Sequence, residues 1–151
     1  RTGFSCGSAP VSDVVAAADA LADAANVDRI LVVGYSYGSI VAMAAAADIS
    51  DAVGYVALNP PLDYVWALFL TNGRAVLAKA PHRLPKLLVH ATRDQFCATA
   101  SFDKYVKTLP DPKTIIKVDG ADHFNIVHDV PRALDAWLRD AFGCDVHAFA
   151  K

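Results

Sequence analysis

Four short apolar runs, Ile30–Val33, Val53–Leu58, Leu87–His90 and Thr114–Val118, punctuate the chain, and each is separated from the next by enough residues for a helix or a crossover. Runs of this length suit strands buried on both faces, and their alternation with helix-length segments predicts an α/β fold, a mainly parallel sheet of about four strands flanked by helices on both faces. The segments between and around the runs agree. Val14, Val15, Ala18, Leu21, Ala22 and Ala25 recur at helical spacing with Asp13, Asp19 and Asp23 on other faces, so an amphipathic helix precedes the first strand. Ser39 to Asp48 reads as a compact Ala-rich helix. Leu134, Trp137, Leu138, Ala141 and Phe142 make one stripe of a last helix, with Pro131 near its first turn and Gly143 beyond its end. At 151 residues and 54% hydrophobic content, a single domain spanning 1–151 is expected, with ample material for a core.

The first strand runs into Gly34-Tyr35-Ser36-Tyr37-Gly38, a G-x-S-x-G sequence at a strand-to-helix junction. Gly34 and Gly38 lack a Cβ, so the chain is expected to reverse sharply there and the helix to approach the strand, with Ser36 at a strained apex. A serine hydroxyl barely ionises at neutral pH and needs a neighbouring base to act as a nucleophile. Of the five histidines, His123 has the best context, because it follows the last predicted strand in Gly120-Ala121-Asp122-His123-Phe124 and so reaches the sheet's carboxyl edge. His82 and His90 read as hydrogen-bonded structural groups, and His128 and His147 as surface groups.

A histidine base in turn needs a carboxylate to hold its tautomer. Asp94, in Ala91-Thr92-Arg93-Asp94-Gln95, lies just beyond the third predicted strand and projects from the same edge; Asp63, after the second, is the alternative acid. Asp94 also admits a plain reading as a turn or helix cap. Asp119 and Asp122 are too close in sequence to His123 to orient it. The aromatic stretch Leu62 to Leu70, which Asn72-Gly73 breaks, reads equally as a core helix over the sheet or as a substrate-pocket wall. Asn59-Pro60-Pro61 ends the second strand, since proline gives the ladder no donor.

Charge and composition narrow the partners. Fourteen basic and sixteen acidic residues leave a formal charge of −2 with no basic run, which favours a small-molecule substrate over nucleic acid. The longest apolar run, Ile40 to Ala47, is too short to span a bilayer. Cys6, Cys97 and Cys144 are widely spaced and form no C-x-x-C pair, which suits reduced thiols and a cytoplasmic setting. No G-x-G-x-x-G follows a strand, no G-x-x-x-x-G-K is present, and no cluster of metal-ligand residues stands out, so neither cofactor nor metal is expected.

The order Ser36, Asp94, His123 is that of the α/β-hydrolases. From about Arg1 to Phe142 the chain resembles the carboxyl-terminal two-thirds of small α/β-hydrolases without a large cap, on Gly34 to Ser39, His90 to Phe96 and Val118 to Phe124. The resemblance implies a serine hydrolase of carboxylic esters or thioesters with Ser36 as nucleophile, Asp94 as acid and His123 as base. Gly34, Tyr35 and Gly38 then belong to the nucleophile elbow, the Tyr37 backbone N–H donates to the oxyanion, and Tyr64, Trp66, Phe96 and Phe124 are pocket candidates. Acyl transfer through the same residues, or a non-catalytic scaffold that binds a small molecule or a protein, are the alternatives. The same resemblance implies that the fold's amino-terminal strands, and a second oxyanion donor carried by a loop among them, lie outside this sequence. Arg1-Thr2-Gly3-Phe4-Ser5 then matches the loop after the fourth strand, and Ile30–Val33 becomes an exposed apolar edge through which the chain self-associates.

Overall fold

In the computed structural model, which describes residues 9–68, 73–80 and 83–143, the four apolar runs are four parallel strands of one sheet. They are β1 (Ile30–Tyr35), β2 (Ala52–Leu58), β3 (Lys86–Ala91) and β4 (Lys113–Val118), and they lie side by side in chain order. The expectations for Arg1–Ser5, Cys6, Asn72, His82, Cys144 and His147 fall outside the described residues.

Helices fill the connections: α1 (Ala9–Ala25) before β1, α2 (Tyr37–Ala45) after it, α3 (Val65–Leu68) and α4 (Gly73–Ala78) between β2 and β3, α5 (Thr99–Val106) before β4, and α6 (Val130–Phe142) last. Strand side chains alternate between two cores. Tyr55, Ala57 and Leu88 pack with α1 to α5, whereas Val56, Leu58, Leu87 and Val89 pack with Trp137 of α6 and, around it, Leu134, Leu138 and Phe142. Gly54 allows α6 to come in close. A Cβ there would stand 2.9 Å from the Pro85 carbonyl oxygen and 3.1 Å from the Phe142 ring. Gly143 ends α6 in the left-handed conformation, φ 64°, that a residue with a Cβ resists.

Three expectations need correction. Only the first half of the α1 stripe is covered: Val11 and Ala18 are buried, while Leu21 is 54% exposed and Ala25 is exposed as well. The helical period reports which face is apolar and not whether a neighbour reaches it. Ala141 likewise faces solvent on α6. The stretch from Leu62 is not one helix, because a 3-10 turn over Leu62–Tyr64 precedes the short α3. Within it Leu62, Val65 and Leu68 pack on the core, and Tyr64 and Trp66 are left exposed.

Candidate active site

Because every strand is parallel, all four carboxyl ends share one rim, and the register sets them level: Tyr35 lies opposite Leu58, Leu58 opposite Val89, and Ala91 opposite Val118. Ser36 follows β1 directly. Its backbone has φ 52° and ψ −127°, a combination that costs a residue with a Cβ on the order of 1–3 kcal/mol and persists only where surroundings over-determine it. They do so here. The Ser36 N–H donates to the Leu58 carbonyl at 2.9 Å, and its carbonyl accepts from the Ser39 N–H at 2.9 Å and the buried Ser39 hydroxyl at 2.6 Å.

The two glycines of this turn are not equivalent. A Cβ on Gly34 would come within 2.7 Å of Ser39 Cα and closer still to the Gly38 carbonyl, so strand and helix meet only over a bare α-carbon. A Cβ on Gly38 would meet nothing within 4 Å, which corrects the expectation that both glycines are needed for the approach. Tyr37 opens α2, at the end of the helix where the partial positive charge of the backbone gathers.

Asp94 sits in the turn after β3 with its side chain wholly buried. One carboxylate oxygen accepts the Phe96 N–H at 2.6 Å and the Cys97 N–H at 3.1 Å, so the turn-forming role and the outward-reaching role divide between its two oxygens. The other oxygen lies 2.7 Å from His123 Nδ1. His123 Nε2 lies 2.8 Å from Ser36 Oγ. An ionised carboxylate accepts only, which assigns the ring proton to Nδ1 and leaves the Nε2 lone pair facing the Ser36 hydroxyl. The sequence-predicted Ser36, Asp94 and His123 thus meet in one unbroken line of hydrogen bonds, and His123 is only 3% exposed.

The loop that carries His123 is shaped by Asp122, whose side chain accepts the N–H groups of Phe124 and Asn125, both at 2.9 Å. Those bonds hold its carboxyl below the usual range. The His123 N–H donates to Gln95 Oε1 at 3.2 Å, and its carbonyl accepts the Tyr35 hydroxyl at 2.6 Å and the Asn59 amide at 3.2 Å. Burial raises the Tyr35 pKa, helped by Asp94 and Asp122, so its hydroxyl stays protonated and able to donate. Neither Gln95 nor Asn59 stood out in the sequence as more than a motif member or a strand terminator.

Asp63, the alternative acid, is turned elsewhere and accepts the Ala98 N–H at 2.7 Å. His90 is buried, stacked on Phe102 and bonded through Nε2 to the Thr99 hydroxyl at 3.2 Å, while its Nδ1 has no partner among the described residues. His128 is exposed.

Aromatic rings crowd the imidazole. Phe96 and Phe124 meet it edge-on with centroids 4.6 and 5.3 Å away, and Tyr64 meets Phe96 edge-on at 5.8 Å. Phe124 is 67% exposed, and Trp66, on α3, is 71% exposed. Cys97, three residues beyond Asp94, carries a thiol, but burial pushes it up to about 12 and keeps it protonated. Two grooves, of about 500 and about 420 Å³, run between β4 and α6 and contain none of these residues. Among the described residues no group of three or more His, Cys, Asp or Glu is arranged to hold a metal ion, and no helix is long and apolar enough to cross a membrane.

No family model and no curated protein sequence matches the chain. Solved structures do. The esterase domain of a Rhodothermus marinus protein superposes with a TM-score of 0.72 at 21% identity over 86% of this chain and 68% of that one. A Pyrococcus furiosus esterase gives 0.68 at 18% identity over 87% and 61%, and a puromycin hydrolase gives 0.69 at 24% identity over 89% and 25%. This chain therefore spans a quarter of the puromycin hydrolase and less than two thirds of the Pyrococcus esterase. At these identities the likeness is one of architecture. Sheet order, flanking helices and superposition together identify this chain as a partial α/β-hydrolase fold.

Proposed function

We propose that the protein is a serine hydrolase that cleaves a carboxylic ester or thioester through an acyl-enzyme. One observation carries the reading: the unbroken path from Asp94 Oδ2 through the His123 ring to the Ser36 hydroxyl, at 2.7 and 2.8 Å, with Ser36 held at φ 52°. Fold alone does not supply it, since the same architecture hosts many functions.

In the cycle the Ser36 oxygen attacks the carbonyl carbon as its proton passes to His123 Nε2, and the imidazolium is steadied by Asp94. The Tyr37 N–H donates to the oxygen that gains charge. Collapse expels the alcohol or thiol, which takes the proton from Nε2. Water then attacks the acyl-enzyme with His123 again as base, releasing the acid and restoring the serine. Tyr64, Trp66, Phe96 and Phe124 are assigned to the substrate surface, where the exposed Phe124 ring beside His123 favours an uncharged, apolar group over a phosphate or a polyanion.

A fluorophosphonate probe tests this. The expected result is a covalent adduct on Ser36 that disappears in Ser36→Ala; labelling that persists in that variant, or no labelling at any probe concentration, overturns the assignment.

A further inference from the structure

We infer that Asn59 is a positioning residue that fixes the His123 imidazole from behind, acting with Tyr35 on the one backbone carbonyl they share. The inference rests on the reading of Ser36, His123 and Asp94 given above and assigns Asn59 no contact with substrate.

Asn59 follows the last residue of β2 and is wholly buried, in a left-handed conformation at φ 44°. Asparagine tolerates that conformation better than most residues, yet a buried amide still has four hydrogen-bonding sites to satisfy. Here they join three strand ends. The backbone N–H of Asn59 donates to the Val89 carbonyl at 2.8 Å. Its side-chain oxygen then accepts the Ala91 N–H at 2.8 Å, so the side chain supplies the next rung of the β2–β3 ladder where the backbone turns away. The amide nitrogen donates across to the carbonyls of His123, at 3.2 Å, and Asp122, at 3.4 Å.

The consequence is geometric. Ala91 begins the turn that carries Asp94, and His123 receives the Asp94 carboxylate, so one planar amide ties the acid's loop to the base's loop. Because the Ser36 N–H is bonded to Leu58, the residue before Asn59, the nucleophile is indexed to the same point of β2. The Tyr35 hydroxyl, 2.6 Å from the His123 carbonyl, pulls on it from the β1 side. A donor on each side confines the peptide that bears the ring. In a buried site that confinement keeps Nε2 within reach of Ser36 Oγ, and a misplacement of about 1 Å costs on the order of 10² in rate.

Asn59→Asp separates positioning from bulk. It keeps the shape and the acceptor for Ala91 but replaces the donor with a second acceptor. Asn59→Gly removes all three side-chain bonds while welcoming the left-handed backbone, and serves if the aspartate variant does not fold. The measurement is fluorophosphonate labelling as a function of probe concentration, giving a maximal rate and a half-saturating concentration, with the melting temperature of each variant and Ser36→Ala alongside. The expected result is a maximal rate about 10- to 100-fold lower with half-saturation within about twofold of the parent, in protein that is folded at the assay temperature. Ser36-dependent labelling at the parental maximal rate in a folded Asn59 variant, or a loss confined to half-saturation, overturns the role of Asn59 and leaves the reading of the site intact. Labelling that survives Ser36→Ala overturns both.

Discussion

The two rims of the sheet are built from the same strands and use their polar groups in opposite ways. At the carboxyl rim Ser36 and Asn59 hold left-handed backbone, and the buried polar side chains of Asn59, Asp94 and His123 bond to one another's loops while leaving Ser36 Oγ at the end of the line. At the amino rim Lys86 is buried, yet its ammonium donates to the carbonyls of Pro110 and Pro112 at 3.0 and 3.1 Å, and Lys113 closes in the same way on Leu109. Burial lowers the Lys86 pKa, and two of its donors face loop carbonyls at the rim opposite Ser36. One rim spends its polar groups on alignment, the other on closing loops. On the proposed function, substitutions at the first are expected to act on chemistry, and at the second on stability alone.

Asp94→Asn tests that contrast hardest. An amide in place of the acceptor facing His123 Nδ1 favours the wrong tautomer, and serine labelling is expected to fall about 10⁴-fold with the protein still folded by circular dichroism. A loss below tenfold would show that the rim does not work as a unit. Gly34→Ala crosses the division, because the new Cβ has only backbone to meet. Destabilisation of about 3 kcal/mol or more is expected in urea melts, together with loss of labelling, and a variant that is neutral in both contradicts the close approach of β1 and α2.

Lys86→Met belongs to the amino rim. Two carbonyls lose a donor, so a cost of about 1–3 kcal/mol and a melting point several degrees lower are expected, with the labelling rate per folded molecule unchanged. A changed rate would mean that the rims are coupled. The smallest effect concerns His90. Burial lowers its pKa, so the folded state binds its proton less readily than the unfolded chain does. Its contribution is fully present above a reference pKa of about 6.5 and is lost as pH falls from there through the depressed folded value. Melting temperature should decline between pH 7 and 5, and less steeply in His90→Asn; parallel curves for the two proteins would assign the decline to other groups.

How much of this was legible in the sequence follows the range of the forces involved. Strands declared themselves through β-branched runs, and the structure lengthens them by only one or two residues, as where β1 continues through Gly34 to Tyr35. Ser36, Asp94 and His123 were readable because each follows a strand, and parallel strands deliver their ends to one rim. The supports were not. Tyr35 and His123 lie 88 residues apart, Asn59 and His123 64, and their bonds run to backbone, which any residue presents. Nor does periodicity tell whether a neighbour arrives, so Leu21 looked like core and is exposed. The difference between Gly34 and Gly38 depends on which backbone stands opposite, and a five-residue pattern is silent on that.

β1 lies at one end of the sheet with Val33 half exposed, and among the described residues it pairs only with β2. The far end is guarded differently, since β4 carries Lys113 and Lys117, and charges of that kind discourage strangers from adding a strand. Among the described residues the sheet is thus asymmetric: one margin carries charges that discourage an added strand, while the other turns its backbone amides toward any extended segment that offers complementary ones. A lysine in place of Val33 would lend β1 the protection β4 already has.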